Sequence, residues 1–163
     1  MTRLAFFMLI SWLCASISQA APPTNWPFKS WDEAVAISKA EHKPLFVLFG
    51  YEECEWCHYL YHRGMNDAEV LSKYSSSFSL TFIDTKATPE TTVFHFPDGS
   101  AVLLKELLRR YRVYPVPSWV FLSETGVLLH SNRGGRTPTR ELLRDLEVAL
   151  AKSGNLSSAI ETK

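Results

Sequence analysis

The chain has 163 residues, 46% of them hydrophobic, and its 17 basic side chains balance its 17 acidic ones. That length fits one domain with a single core, because domains usually span about 100 to 200 residues. The balanced charge, with no basic stripe interleaved with aromatic residues, argues against a nucleic-acid surface, so we expect no nucleic-acid partner.

The N-terminal segment has the pattern of a secretory signal peptide. Arg3 supplies a positive charge, residues 4–13 form an apolar stretch, and residues 18–20 (Ser-Gln-Ala) offer a small-x-small cleavage site. We therefore expect residues 1–20 to be a signal peptide and residues 21–163 to form a single exported domain. The apolar stretch is too short for a membrane span, so we expect a protein that is not embedded in the membrane.

The number and spacing of the cysteines indicate a reactive pair and not a disulfide scaffold. Cys14 lies inside the apolar stretch of the signal peptide, and we expect it to be removed with that segment, not lipidated. Cys54 and Cys57 then remain alone. A loop closed by two such near neighbours restrains little of the unfolded chain, so this pair is predicted to be reactive.

An amphipathic helix is the first element predicted after the signal peptide, over residues 31–41. Ser30 and Glu33 form a capping box at its start, and Lys43-Pro44 ends it. Its inner face is predicted to consist of Ala34, Val35, Ile37 and Ala40.

A buried strand and a reactive turn come next. The apolar run over residues 44–49 is too short and too rich in Phe and Val for a helix, so it predicts a strand. The turn over residues 50–53 leads from this strand into Cys54 and Cys57, spaced C-x-x-C, and a helix is predicted from there to about Arg63.

Two thiols at this spacing can close a small disulfide and reopen it. The partial positive charge of a helix N-terminus favours the thiolate form of Cys54, which makes Cys54 the expected attacking nucleophile. Cys57 lies one turn further in, and it would attack the mixed disulfide and release the partner.

A further helix and strand are predicted beyond Gly64, which interrupts the helix of the cysteines. Asn66 and Glu69 are placed to cap a short helix that runs to about Tyr74. Residues 79–85 (Ser-Leu-Thr-Phe-Ile-Asp-Thr) predict a second strand. Because a helix separates them, this strand is expected to lie parallel to the first.

The middle of the chain predicts a loop over residues 88–99, with a small hairpin around residues 94–99. Ser100 is expected to cap the next helix, which would run through Tyr111. These are the least regular patterns in the sequence.

The C-terminal third predicts an antiparallel hairpin of strands at residues 118–123 and 127–131. Thr137 caps a last helix, with Pro138 at its first position and Gly154 near its end. The predicted order is α-β-α-α-β-α-β-β-α. This order predicts an α/β fold with a mixed central sheet of about four or five strands flanked by helices.

These motifs together resemble the thioredoxin-like fold family, and in particular its exported thiol–disulfide oxidoreductases. The resemblance rests on the apolar strand before Cys54-Glu55-Trp56-Cys57, the segment over residues 111–118, the hairpin, Gly134-Gly135 and the last helix. It covers the chain from about residue 43 to residue 151.

The resemblance implies how a partner would be held. The proline at the position of Pro117 is cis in this family and lies against the dithiol, and the residue before it, here Val116, offers backbone groups to the substrate. Glu55 and Trp56 are expected to tune the redox properties of the dithiol. Tyr51 and Trp56 border it, and they are expected to form an exposed apolar surface for the partner.

The activity implied is that of an exported, periplasmic thiol–disulfide oxidoreductase with Cys54 and Cys57 as its catalytic residues. The partners would be protein thiols or disulfides, with a membrane electron donor for the dithiol. We expect no cofactor and no metal. A negative Glu55 disfavours the thiolate of Cys54 and so destabilises the reduced form, which predicts that the protein is a reductant.

One position departs from the family pattern. Thioredoxins carry a buried aspartate on the central strand that helps to move the proton of the resolving cysteine, and this chain has Leu48 there. Proton transfer would then use water or a nearby group, for which Glu52, Glu53 and His58 are the candidates.

Three alternatives remain open at this stage. Cys54 to His58 is also C-x-x-C-H, the attachment signature of c-type haem, for which Met65 or His62 would be a second axial ligand. Zinc could be held by the two cysteines with His58 and His62, although adjacent residues do not readily bind one ion from a regular helix. The third alternative is a thioredoxin-fold binding module without redox turnover.

Overall fold

The computed structural model describes residues 22–88, 90–134 and 137–161. The predicted signal peptide, residues 1–20, lies outside the described residues. In chain order the elements are α1 (Trp31–Glu41), β1 (Leu45–Gly50), α2 (Glu55–Arg63), α3 (Ala68–Ser77), β2 (Ser79–Asp84), β3 (Val93–His95), β4 (Ala101–Leu103), α4 (Leu104–Arg110), β5 (Ser118–Leu122), β6 (Leu128–Arg133) and α5 (Thr139–Glu161).

The central sheet has four strands in the order β2-β1-β5-β6. β1 pairs with β2 in parallel and with β5 antiparallel, and β5 pairs with β6 antiparallel. The predicted α/β fold with a mixed sheet of four or five strands is confirmed. β3 and β4 form a separate two-stranded antiparallel sheet.

β1 is buried along its whole length and contributes to an apolar core on each face of the sheet. Phe46 and Leu48 belong to the core that also contains residues of α2, α3 and α5. Leu45, Val47 and Phe49 belong to the core formed with α1, α4 and the β3-β4 hairpin. This two-sided burial explains why the strand is a continuous apolar run and does not alternate with polar residues.

The structure corrects the predicted inner face of α1. The helix spans the predicted residues and has the predicted capping box, in which Ser30 Oγ accepts the Glu33 N–H. Ala40, however, is exposed and Ser38 is buried. Ser38 tolerates burial because its hydroxyl donates a hydrogen bond of 2.6 Å to the carbonyl of Lys43.

Two predicted helix starts were also wrong. Asp67, not Asn66, caps α3, since its carboxylate accepts the backbone N–H groups of Glu69 and Val70. Ser100 does not cap a helix but precedes β4, and its N–H donates to the Asp98 carboxylate in a turn where Gly99 has φ +86°.

The sequence predicts that the last helix ends near Gly154, but the helix continues to Glu161. Within the described residues, no helix is both long enough and apolar enough to cross a membrane.

Candidate functional site

Cys54 and Cys57 are joined in a disulfide at the start of α2, with their Cα atoms 5.2 Å apart. β1 ends at Gly50, and a short turn places Cys54 at the N-cap of the helix. The backbone N–H of Cys57 donates a hydrogen bond to Sγ of Cys54 at 3.1 Å. The first sulfur therefore receives one of the N–H groups that a helix leaves unpaired at its start.

The two sulfurs differ in access. Cys57 is fully buried and Cys54 is 3% exposed, and both belong to the core that contains Leu48 and Leu60. An attacking partner therefore meets Cys54 first. Leu48 is itself fully buried, so the side chain that replaces the family's aspartate provides only apolar contact in this core.

Gly50 packs closely against the inner sulfur. A Cβ atom at this position would lie 3.1 Å from Sγ of Cys57 and 3.2 Å from the hydroxyl oxygen of Tyr61. The Tyr61 hydroxyl and the Cys57 sulfur are therefore both close neighbours of Gly50. Any larger side chain at residue 50 would push into both groups.

Tyr61 was not among the residues singled out from the sequence. Its side chain is 7% exposed, and its hydroxyl has no hydrogen-bond partner among the described residues. Burial, and secondarily the charge of Asp84, raise the pKa of Tyr61, so its hydroxyl keeps its proton at neutral pH. In the sequence, only its spacing points to Tyr61, because a residue four positions after Cys57 lies on the same helix face.

The three acid–base candidates inferred from the sequence make other contacts. Glu53 accepts a hydrogen bond from the Lys86 amino group at 2.8 Å, which lowers the pKa of the Glu53 carboxyl. Nε2 of His58 lies 2.8 Å from the carbonyl oxygen of Glu52. Glu52 and Glu53 are both exposed.

The predicted partner-facing residues border the disulfide with different exposures. Glu55 is exposed in the first turn of α2. Trp56 is 48% exposed and meets Tyr59 edge to face, with ring centroids 6.2 Å apart. Tyr51 is half-buried against the core of the two cysteines, and the Lys86 amino group lies 4.2 Å from its ring centroid.

The peptide bond before Pro117 is cis, as the resemblance implied, and so is the bond before Pro115, which the sequence did not suggest. Val116 packs against the cores on both faces of the sheet, including the core that holds both cysteines. The carbonyl of Pro117 accepts a 2.6 Å hydrogen bond from the N–H of Gly134. The structure thus places Val116 next to the core of the dithiol.

The residues named for the metal alternatives are arranged differently from a ligand set. Met65 is 1% exposed in the core, and its carbonyl accepts a hydrogen bond from the Trp26 indole. The part of the chain that the structure describes contains no group of three His, Cys, Asp or Glu side chains suited to hold a metal ion. The arrangement favours a reversible disulfide.

Comparison with known proteins gives one family match and several structural likenesses. The family model described as a thioredoxin-like domain matches residues 31–149. Among curated proteins, spermatogenesis-associated protein 20 of Mus musculus is 27% identical over 74 residues, which is 45% of this chain. The match spans only 9% of that protein's length.

Solved structures give the same fold. A thioredoxin from Thermus thermophilus is similar with a TM-score of 0.64 at 24% identity, over 82% of this chain and 93% of that one. The DsbH oxidoreductase is similar with a TM-score of 0.59 at 20% identity, over 92% of this chain and 94% of that one. The fold expected from the sequence is confirmed.

Proposed function

The chain belongs to the thioredoxin-like domain family and carries the redox disulfide of a thiol–disulfide oxidoreductase, and on this premise we propose that it is an exported reductant of disulfides in partner proteins. The observation that carries the proposal is the asymmetry of the pair. Cys54 caps α2 and accepts the Cys57 N–H, whereas Cys57 is fully buried behind it.

The reaction takes place in two exchange steps. The Cys54 thiolate attacks one sulfur of the partner disulfide, forms a mixed disulfide and displaces the other partner sulfur as a thiolate. Cys57 then loses its proton and attacks Sγ of Cys54, which closes the Cys54–Cys57 bond and releases the second partner thiol. Two electrons pass to the partner, and a membrane electron donor would restore the dithiol.

The direction of electron flow rests on Glu55. Glu55 directly follows Cys54 and is exposed in the first turn of α2. A negative charge there disfavours the Cys54 thiolate and so destabilises the reduced form relative to the disulfide. The protein would therefore give electrons to its partners.

The partner would be held beside the dithiol by two groups of residues. Tyr51 and Trp56, which precede and follow Cys54 closely in the chain, would offer apolar surface, and Trp56 is the more exposed of the two. Val116 would present backbone groups to an extended segment of the partner, and Pro117 would hold Val116 in place. Export rests on the signal-peptide pattern of residues 1–20, which also supports a periplasmic location.

Reduction of insulin disulfides, with dithiothreitol as the electron source, tests the proposal. Wild type is expected to accelerate insulin precipitation, and Cys54→Ser is expected to lose the acceleration. Equal activity of the two proteins would overturn the role of the dithiol, and inactivity of both would favour a binding module. A Soret band in the protein purified after export would instead identify the c-type haem alternative.

A further inference from the structure

A cavity of about 460 Å³ lies between the end of β2, α4 and the segment that leads to Pro117. Three cationic side chains line it, Lys105, Arg109 and Arg112, and we call it the cationic pocket. Leu108 and Val113 supply an apolar floor.

The positive charge of the cationic pocket is uncompensated locally. No acidic residue lines the cavity, and none of its three cations forms an ion pair with another described residue. The whole chain has a formal net charge of +0, so this concentration of one sign is a local feature. Such a pocket attracts negative charge, and its walls weaken the screening by water.

A buried hydroxyl belongs to a residue that lines the cationic pocket. Thr85 lines the cavity and is 4% exposed, and its Oγ1 has no hydrogen-bond partner within the described part of the chain. Buried hydroxyls are normally paired, so an unpaired one marks a place where a partner group is expected.

The position of the cationic pocket connects it to the dithiol. The N–H of Thr85 donates a 2.8 Å hydrogen bond to the carbonyl of Gly50, which borders Sγ of Cys57. Tyr114, 59% exposed on the pocket wall, precedes Val116 by two residues. The pocket therefore borders the segment that leads to Val116, which is proposed to hold the partner.

We propose that the cationic pocket binds an acidic segment of the partner protein, next to the disulfide that Cys54 attacks. This inference rests on the proposed function and adds the chemistry of the substrate. Carboxylate side chains flanking the partner's cysteine would pair with Arg109 and Arg112, while the apolar floor would cover the neighbouring residues. Partners with basic or neutral flanks would be reduced more slowly.

The test uses two synthetic disulfide peptides that differ only in Glu or Gln at positions flanking one cysteine. At low ionic strength, wild type is expected to reduce the Glu peptide with a kcat/KM about fivefold higher, as for one exposed ion pair of about 1 kcal/mol. Arg109→Glu combined with Arg112→Glu should abolish or reverse this preference. Arg140→Glu combined with Arg144→Glu, on exposed positions of α5, makes the same charge change and should leave the preference intact.

The outcomes separate the two proposals. Equal reduction of both peptides by wild type would overturn the acidic-partner proposal while leaving the reductase function standing. Loss of preference in the α5 control as well would show a general charge effect and would also overturn it. Failure to reduce either peptide would overturn the proposed function itself.

Tyr61 carries a second, independent inference. Its hydroxyl has no hydrogen-bond partner among the described residues, and the hydroxyl and Sγ of Cys57 both lie close to Gly50, within the core of the dithiol. We infer that Tyr61 is a positioning residue that donates its O–H to the Cys57 sulfur once the disulfide is reduced. The oxidised sulfur is a poor acceptor, so this hydrogen bond would favour the reduced form.

Tyr61→Phe removes only the hydroxyl and tests this role. The variant lacks a hydrogen bond that stabilises only the reduced form. Its equilibrium constant with glutathione should therefore shift about tenfold toward the disulfide. Tyr59→Phe, on an exposed position of the same helix, should leave the equilibrium unchanged. If the hydroxyl were only structural, its loss would change the stability of both redox forms equally. The glutathione equilibrium of Tyr61→Phe would then equal that of wild type, and this result would overturn the inference.

Discussion

The backbone N–H of Cys57 donates a hydrogen bond to Sγ of Cys54, at 3.1 Å. The two cysteines are therefore unequal before any partner arrives. The outer sulfur is held at the N-terminus of α2, where the helix dipole favours negative charge, and the inner sulfur is enclosed by the core.

This inequality predicts selective alkylation of the reduced protein. At neutral pH, iodoacetamide should modify Cys54 at least about tenfold faster than Cys57, because the thiolate is the nucleophile and Cys54 is the more accessible. Peptide mass spectrometry over a time course gives the two rates. Equal rates, or faster modification of Cys57, would contradict the assigned roles.

Glu55 is expected to keep the redox potential low. Wild type should lie nearer the roughly −270 mV of thioredoxin than the roughly −120 mV of the strongest periplasmic oxidant. Glu55→Gln removes the charge that disfavours the Cys54 thiolate, so the potential should rise by on the order of 30 mV, equivalent to about 1.4 kcal/mol.

Titration in glutathione buffers measures both potentials, with Glu147→Gln on α5 as a control of equal charge change. A wild-type potential above about −180 mV would contradict the proposed direction of electron flow. A redox potential of Glu55→Gln that is more negative than that of wild type would also contradict it.

Gly134 is predicted to hold the Pro117 segment by close approach. A Cβ atom there would lie 2.8 Å from Cγ of Pro117 and 2.8 Å from the indole of Trp119. Gly134→Ala should therefore displace Pro117, lower the free energy of unfolding by about 1 to 3 kcal/mol and slow insulin reduction. Chemical denaturation and the insulin assay check the two effects.

Gly154→Ala is the matched control for that substitution. A Cβ atom at Gly154 would meet nothing within 4 Å, and the residue lies inside α5. The same change should raise the free energy of unfolding here by about 0.5 to 1 kcal/mol, since alanine costs less conformational entropy in a helix. If both variants behaved alike, the steric argument for Gly134 would fail.

Asp145 anchors α5 to the sheet through three donors. Its buried carboxylate accepts hydrogen bonds from the Trp119 indole at 3.0 Å and from the Asn132 amide at 2.8 Å, and Nε2 of His130 lies 2.9 Å away. Asp145→Ala would leave the buried Trp119 N–H and two part-buried donors without this acceptor and should cost about 3 kcal/mol of stability in denaturant titration. Exposed Glu147→Ala on the same helix should change it by less than about 0.5 kcal/mol. Similar small losses in both variants would show that the network contributes little.

Much of the fold was predictable because its strongest elements carry local signals. The apolar run of β1 is buried on both faces, and the β5-β6 hairpin turns at Gly126, whose φ of +84° suits glycine. β3 and β4 have three residues each, too few for an alternating pattern to show. The sequence therefore predicts a helix start at Ser100, although Asp98 and Gly99 do indicate a turn before it.

Part of the candidate site could likewise be predicted from the sequence, and part could not. The C-x-x-C motif gave the two cysteines, and the resemblance gave the cis bond before Pro117. The spacing of Tyr61 from Cys57 places both on one helix face, but the close approach of Tyr61 to Gly50 across the core depends on the tertiary structure and has no signal in the sequence. The cationic pocket was missed for a similar reason, since Arg109 and Arg112 join Thr85 only when β2 and α4 come together.

Trapping of the mixed disulfide tests the central claim most directly. Reduced Cys57→Ser and Cys54→Ser proteins are each mixed with a disulfide-bonded protein substrate, quenched with acid and resolved on non-reducing gels. If Cys54 attacks and Cys57 resolves, Cys57→Ser should accumulate a covalent complex that a reductant releases, and Cys54→Ser should accumulate almost none. Equal trapping by the two variants, or trapping by Cys54→Ser alone, would contradict the account.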